Sequence, residues 1–133
     1  MSDTKDKIVL FSGRFNPNHL SHVCSIIRLA KTFKKVIVVI LDYDEREWPV
    51  VYTKQRFVEI FSEMPSLEVD IRVNNKHFGQ ITKVELEVFQ PFDYYAAGNL
   101  KVLRHMERIG VPCIFVERAY LDQARDLTIP DDS

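Results

Sequence analysis

Two imidazoles stand three residues apart in Gly13-Arg14-Phe15-Asn16-Pro17-Asn18-His19-Leu20-Ser21-His22, where a strand-like apolar run gives way to a helical pattern. On a helix, that spacing puts both rings on one face. With Asn18 as the cap, both fall in the first turn, where free backbone N–H groups and the positive end of the dipole favour a phosphate. Arg14 adds a cation to the same loop. Histidine and arginine donors around a proline-bearing turn suit phosphoryl chemistry, in which charge builds on the oxygens of a reacting phosphorus.

The elements that must hold this loop are legible as periodicity. Ile8 to Phe11, Val36 to Leu41, Val69 to Val73 and Cys113 to Val116 have strand length and β-branched content, and Phe92 to Ala97 is a fifth run of this kind. Helical patterns lie between them. The first sets Val23, Ile26, Ile27 and Ala30 on one face; others run about Thr53 to Phe61, about Thr82 to Val88, and from Asn99 to Ile109 before Gly110. This alternation predicts an α/β fold with a Rossmann-like, parallel five-stranded sheet covered by helices on both faces. Ligands of such sheets sit at the carboxyl ends of the strands.

With 133 residues the chain is expected to form one domain, 1–133, with 130–133 a frayed tail. A net charge of −1 argues against a nucleic-acid partner. Cys24 and Cys113 form no CxxC pair, so neither a disulfide framework nor a cysteine metal site is expected, and a reducing cytoplasm suits them. No apolar run has the length of a membrane span, and Met1 to Lys7 lacks the apolar stretch of a signal peptide. The first strand is not followed by G-x-G-x-x-G, and no Walker sequence occurs, which disfavours a dinucleotide oxidoreductase.

The loop resembles the HxGH signature of the nucleotidyltransferase superfamily, whose wider pattern runs G-x-F-x-P-x-H-x-G-H after the first strand. Gly13, Phe15, Pro17, His19 and His22 match it, while Ser21 stands where the family has glycine. The resemblance implies transfer of a nucleotide from a nucleoside triphosphate to an acceptor. It assigns the catalytic roles to His19, near the α-phosphate, and His22, near the phosphates that bridge to the leaving group. Ser12, Gly13, Arg14, Phe15 and Asn16 would surround the nucleotide phosphates, with Mg²⁺ held mainly by the nucleotide and no metal ligands from the protein. An acceptor phosphate is already an anion and needs no general base, so catalysis can consist of positioning and charge stabilisation.

Three further segments carry expectations of the same kind. Gly98-Asn99 closes the fourth strand and opens a helix, where the family places base and ribose; an ordinary strand-to-helix turn explains the pair equally well. The family's hydroxyl-rich turn ending in arginine has a poor match after the fifth strand, leaving Arg118 and Arg125 as candidate pyrophosphate ligands, with surface pairing to Asp122 and Asp126 an equal reading for Arg125. The polar loop from Asp42, together with the helix after it, offers Trp48 and Arg56 as acceptor-binding residues; packing of Trp48 onto the sheet and a solvated Arg56 are the plainer alternative. His77 and His105 read as surface residues without chemistry.

Arg14 within G-R-F-x-P-x-H is closer to the nicotinamide mononucleotide adenylyltransferase branch, whereas total length is closer to glycerol-3-phosphate cytidylyltransferases. The expectation is therefore an enzyme moving AMP or CMP from ATP or CTP to a small phosphate-bearing acceptor, with adenylyl transfer slightly preferred. A catalytically weakened nucleotide-binding module is the alternative. An electron-transfer flavoprotein is disfavoured, because paired histidines have no role at its phosphate loop. A homodimer is a further expectation.

Overall fold

A computed structural model describes residues 3–16 and 20–116. In chain order the elements are β1 (Ile8–Gly13), α1 (Leu20–Thr32), β2 (Lys35–Leu41), α2 (Val50–Ser62), β3 (Val69–Asn74), α3 (Lys83–Leu86), β4 (Tyr94–Ala97), α4 (Leu100–Arg108) and β5 (Cys113–Phe115). The five strands form one all-parallel sheet in the order β3-β2-β1-β4-β5, the Rossmann-like α/β arrangement the alternation predicts.

The sheet is buried on both faces because its central strands carry unbroken apolar runs, Ile8 to Phe11 in β1 and Val36 to Leu41 in β2. Along β2, Val36, Val38 and Ile40 point into one core with Val9, Phe11, Ile26 and Phe57. Ile37, Val39 and Leu41 point into the other with Leu10, Phe78, Tyr95 and Met106. Helices α1 and α2 cover the first face, α3 and α4 the second. Fully buried Phe57 fills the first core, where truncation to alanine would cost about 3–5 kcal/mol.

Element ends differ from the periodicity where local chemistry intervenes. β1 continues through Ser12 and Gly13, which pair with Val39 and Ile40. β4 begins at Tyr94 rather than Phe92. Before it, the Asp93 carboxylate accepts from Ile8 N–H at 2.9 Å and the Asp93 N–H donates to Ile8 O at 2.7 Å, an end-pairing outside the regular ladder. α3 shrinks to one turn opened by a Thr82–Glu85 capping box and continues as a 3-10 turn, Glu87–Phe89. Asn99 caps α4, its side chain accepting from the N–H groups of Lys101 and Val102. Gly110, at φ +89°, follows the end of α4 in the left-handed region that favours glycine. Among the described residues, no helix is long and apolar enough to cross a membrane.

Candidate functional site

β1 is the strand at which chain order reverses: β2 and β3 build outward on one side, β4 and β5 on the other. β1 and β4 are paired from Val9–Tyr94 to Phe11–Ala96 and then diverge into different turns. A cleft of about 1060 Å³ opens at this fork. Its position follows the general rule for open α/β sheets, where ligands lodge outside the carboxyl ends at the reversal point.

The Gly13–Asn16 turn owes its shape to Phe15. Phe15 has φ 48°, and its ring is buried edge-on to Phe57 with centroids 5.0 Å apart. A left-handed backbone at a bulky residue costs about 1–2 kcal/mol. Full burial of the ring offsets that by roughly 2–3 kcal/mol. The ring folds back under Gly13, where a Cβ would stand 2.9 Å from Phe15 Cζ, so only glycine fits above it. His22, half-buried in the first turn of α1, meets the Phe15 ring edge-on with centroids 4.8 Å apart.

Two arginines fasten this turn to the segment after β2. Arg14 Nη2 donates to Tyr43 O at 2.9 Å and Glu45 O at 2.7 Å, and its guanidinium lies 5.0 Å from the Tyr43 ring centre. Arg46 reaches back the other way. Its Nη1 donates to Arg14 O at 2.8 Å and Leu41 O at 3.0 Å, its Nε to Trp48 O at 2.9 Å, and its Nη2 to Thr53 Oγ1 at 3.1 Å. A longer Nη2 contact reaches Phe15 O at 3.4 Å. Desolvation holds the Arg46 guanidinium below its ordinary pKa, with neighbouring Arg14 adding to the shift and Asp42 opposing it. Four backbone carbonyls from three segments thus converge on one side chain.

The floor of the cleft is a polar pair in an apolar setting. Tyr95, fully buried on β4, shares a short hydrogen bond with the Ser12 hydroxyl at the end of β1. Burial pushes the Tyr95 phenol well above its ordinary value, and the Ser12 hydrogen bond draws it part-way back. Above about pH 10 the unfolded chain ionises this phenol while the folded chain resists, so stability from Tyr95 is complete below that pH and lost as pH rises beyond it. Melting curves of wild type and Tyr95→Phe between pH 8 and 11.5, values chosen to bracket about 10, should show a shallower alkaline fall in the variant. Its neutral-pH stability should drop by about 1 kcal/mol, because Ser12 Oγ loses its partner. Parallel curves would show that the pair is not buried in this way.

Of the residues singled out in the sequence, Ser12, Gly13, Arg14, Phe15, His22, Gly98 and Asn99 line this one cleft. Asn16 does not; its Oδ1 accepts from Trp48 N–H at 2.9 Å and so ties the turn to the following loop. Trp48 and Arg56 are exposed and lie outside the cleft lining. Gly98 has a packing reason to be glycine: a Cβ there would stand 3.2 Å from the Val116 carbonyl oxygen. His19 and its neighbours Pro17 and Asn18, together with Arg118, Arg125 and the 130–133 tail, lie outside the described residues.

One expectation is corrected. His105 is not a plain surface residue, since it is half-buried and its Nε2 lies 2.6 Å from the Ile81 carbonyl oxygen. Exposed His77 stacks on Tyr43 at 3.6 Å. With Arg14 also against the Tyr43 ring, that ring is engaged within the protein.

Sequence reasoning missed Arg46, Tyr43, Tyr95 and Lys101. Lys101 stands in the first turn of α4 and lines the cleft, a place its position after Asn99 could have suggested. Arg46 lies among Asp44, Glu45 and Glu47 and reads as part of a solvated run. The cationic side chains lining the cleft are Arg14 and Lys101, and no Asp or Glu lines it among the described residues. Arg14 Nε is buried without a hydrogen-bond partner. An anion fits such a surface, because cations without facing carboxylates favour negative charge. No family model matches this chain, and no curated protein matches it.

Proposed function

We propose that this chain is a nucleotidyltransferase of the HxGH superfamily, moving AMP or CMP from a nucleoside triphosphate to a small phosphate-bearing acceptor with release of pyrophosphate. The observation that carries the reading is the convergence of Gly13-Arg14-Phe15, His22 and Gly98-Asn99 on one cleft at the β1/β4 fork, lined by cations and free of carboxylates among the described residues. Fold alone would not support it, since this sheet serves many chemistries. The turn with its G-R-F-x-P-x-H sequence favours an adenylyltransferase of the nicotinamide mononucleotide type; a glycerol-3-phosphate-type cytidylyltransferase is the alternative.

In this mechanism an acceptor phosphate oxygen attacks the α-phosphorus, the bond to the bridging oxygen breaks, and pyrophosphate leaves with the electron pair. His22, and His19 by its place in the motif, donate hydrogen bonds to oxygens on which charge grows. Arg14 adds positive charge at the cleft while its Nη2 keeps the turn in shape. Lys101 adds positive charge from the α4 side. Mg²⁺ bound to the triphosphate would neutralise phosphate charge. Free Cys24 and Cys113 suit a reducing compartment such as the cytoplasm.

Pyrophosphate release tests the reading, with Mg²⁺, ATP or CTP, and acceptors including nicotinamide mononucleotide and glycerol 3-phosphate. Release that depends on acceptor supports transfer and names the base. Nucleotide binding without release would favour the binding-module alternative.

A further inference from the structure

β3 ends the sheet beside β2, and among the described residues no strand pairs with its other edge. Its register with β2 runs unbroken from Val36–Val69 to Leu41–Asn74, without proline or bulge. The hydrogen bonds that flank the ladder fix which groups face outward. Val36 N–H donates to Glu68 O at 3.0 Å and Asp42 N–H to Asn74 O at 2.8 Å, so the even-numbered residues turn their backbone groups toward β2. Val69, Ile71 and Val73 therefore turn theirs toward the open edge. An unprotected edge of this kind is a template for another strand.

The side chains say which strand. Val69-Asp70-Ile71-Arg72-Val73 is self-complementary about Ile71, with apolar residues matched at equal distances and opposite charges on either side. We propose that two copies of this chain pair β3 against β3, antiparallel, about a two-fold axis at Ile71. Val69 then meets Val73 of the second copy, and Asp70 meets Arg72 twice, as a two-fold interface requires.

Both backbone and charge select this register. The outward groups of Val69, Ile71 and Val73 fall in pairs that exchange two hydrogen bonds, and Asp70 and Arg72 fall in the intervening pairs, where side chains approach most closely. Centring the axis on Asp70 or on Arg72 would set like charges face to face. A half-step shift would set outward backbone groups against inward ones.

Within one chain, Asp70 Oδ2 accepts from Arg72 Nη2 at 2.8 Å and lies 3.8 Å from Lys35 Nζ, with these side chains about one-third exposed. The charges can thus turn toward a second copy without leaving a buried ion unpaired. Val69 and Ile71 remain packed in the core under α2. α2 rides on β3, so the same axis brings the two α2 helices toward each other over the joined sheet.

Sedimentation equilibrium over roughly 1 µM to 1 mM tests this without reference to activity. The wild-type chain should dimerise reversibly with concentration. Asp70→Arg alone and Arg72→Asp alone should weaken dimerisation at least about tenfold, by setting like charges opposite each other. An equimolar mixture of these two variants should form a one-to-one dimer, because the two cations of one chain then face the two carboxylates of the other. The Asp70→Arg/Arg72→Asp double variant should dimerise as wild type does, which keeps the test intact if a single variant melts early. A wild-type monomer throughout, single variants that dimerise normally, or a mixture that fails to pair would each overturn the proposal.

Discussion

Replacing His22 by alanine should lower nucleotidyl transfer by about 10²–10³-fold, the usual effect of removing one donor aimed at developing charge. Nucleotide affinity should change far less, because a group matched to the transition state contributes little to ground-state binding. The loss should therefore fall on kcat rather than on KM. His22 also meets the Phe15 ring edge-on, so stability needs a separate reading by thermal melting. His22→Asn keeps a donor near the same place and should recover part of the rate. A His22→Ala chain with normal kcat and weakened nucleotide binding would make His22 a binding residue only. His19→Ala should match or exceed the loss if, as the proposed reading has it, His19 serves the α-phosphate.

Arg46→Met should be the most damaging surface-loop substitution in stability terms. Its guanidinium gathers the carbonyls of Arg14, Leu41 and Trp48 at 2.8–3.0 Å and the hydroxyl of buried Thr53 at 3.1 Å, and methionine leaves all of these without their shared donor. Hydrogen bonds to a charged group contribute about 1.5–3 kcal/mol each and do not add, so a total of about 3 kcal/mol is expected. For a chain of this size that lowers the melting temperature by on the order of 10 °C. Arg46→Lys should not rescue, because one ammonium cannot span acceptors arranged for a planar fork. Arg56→Met, on the exposed side of α2, should stay within about 0.5 kcal/mol of wild type. Near-equal melting of the Arg46 and Arg56 variants would contradict the clamp.

Both predictions concern one turn, and the turn shows what a sequence can and cannot reveal. β2 was legible as a strand buried on both faces, because seven consecutive residues run Lys-Val-Ile-Val-Val-Ile-Leu with no polar side from Val36 onward. The place of the candidate segment was legible too, since Gly13 to His22 reads as a strand-to-helix junction and such junctions meet at the sheet's reversal point. The reason for Gly13 was not. It depends on Phe15 turning back into the core at φ 48°, which is a matter of tertiary packing around Phe57.

Arg46 and Tyr95 were hidden for a related reason. A charge run such as Asp44-Glu45-Arg46-Glu47 is usually solvated, and only the folded chain brings unpaired carbonyls from β2 and the Gly13–Asn16 turn within reach of one guanidinium. Tyr95 read as an ordinary strand aromatic. Its phenol gains meaning from the register that sets Tyr95 beside Leu10, leaving Ser12 two residues further along the same face of β1. His105 was misjudged because the Ile81 carbonyl it meets is a long-range partner. Trp48 lies outside the cleft lining, and its backbone N–H donates to Asn16 Oδ1, a tie between loops that only the folded chain reveals.

Transfer of label is the most direct test of the central claim. Protein in excess of α-³²P-labelled ATP or CTP, with Mg²⁺ and the acceptor that supports pyrophosphate release, should move the label into an acceptor-linked product. One pyrophosphate should appear for each product formed, and His22→Ala should slow both together. Label that stays in triphosphate while the nucleotide is demonstrably bound, or label released as free monophosphate irrespective of acceptor, would contradict nucleotidyl transfer at this cleft.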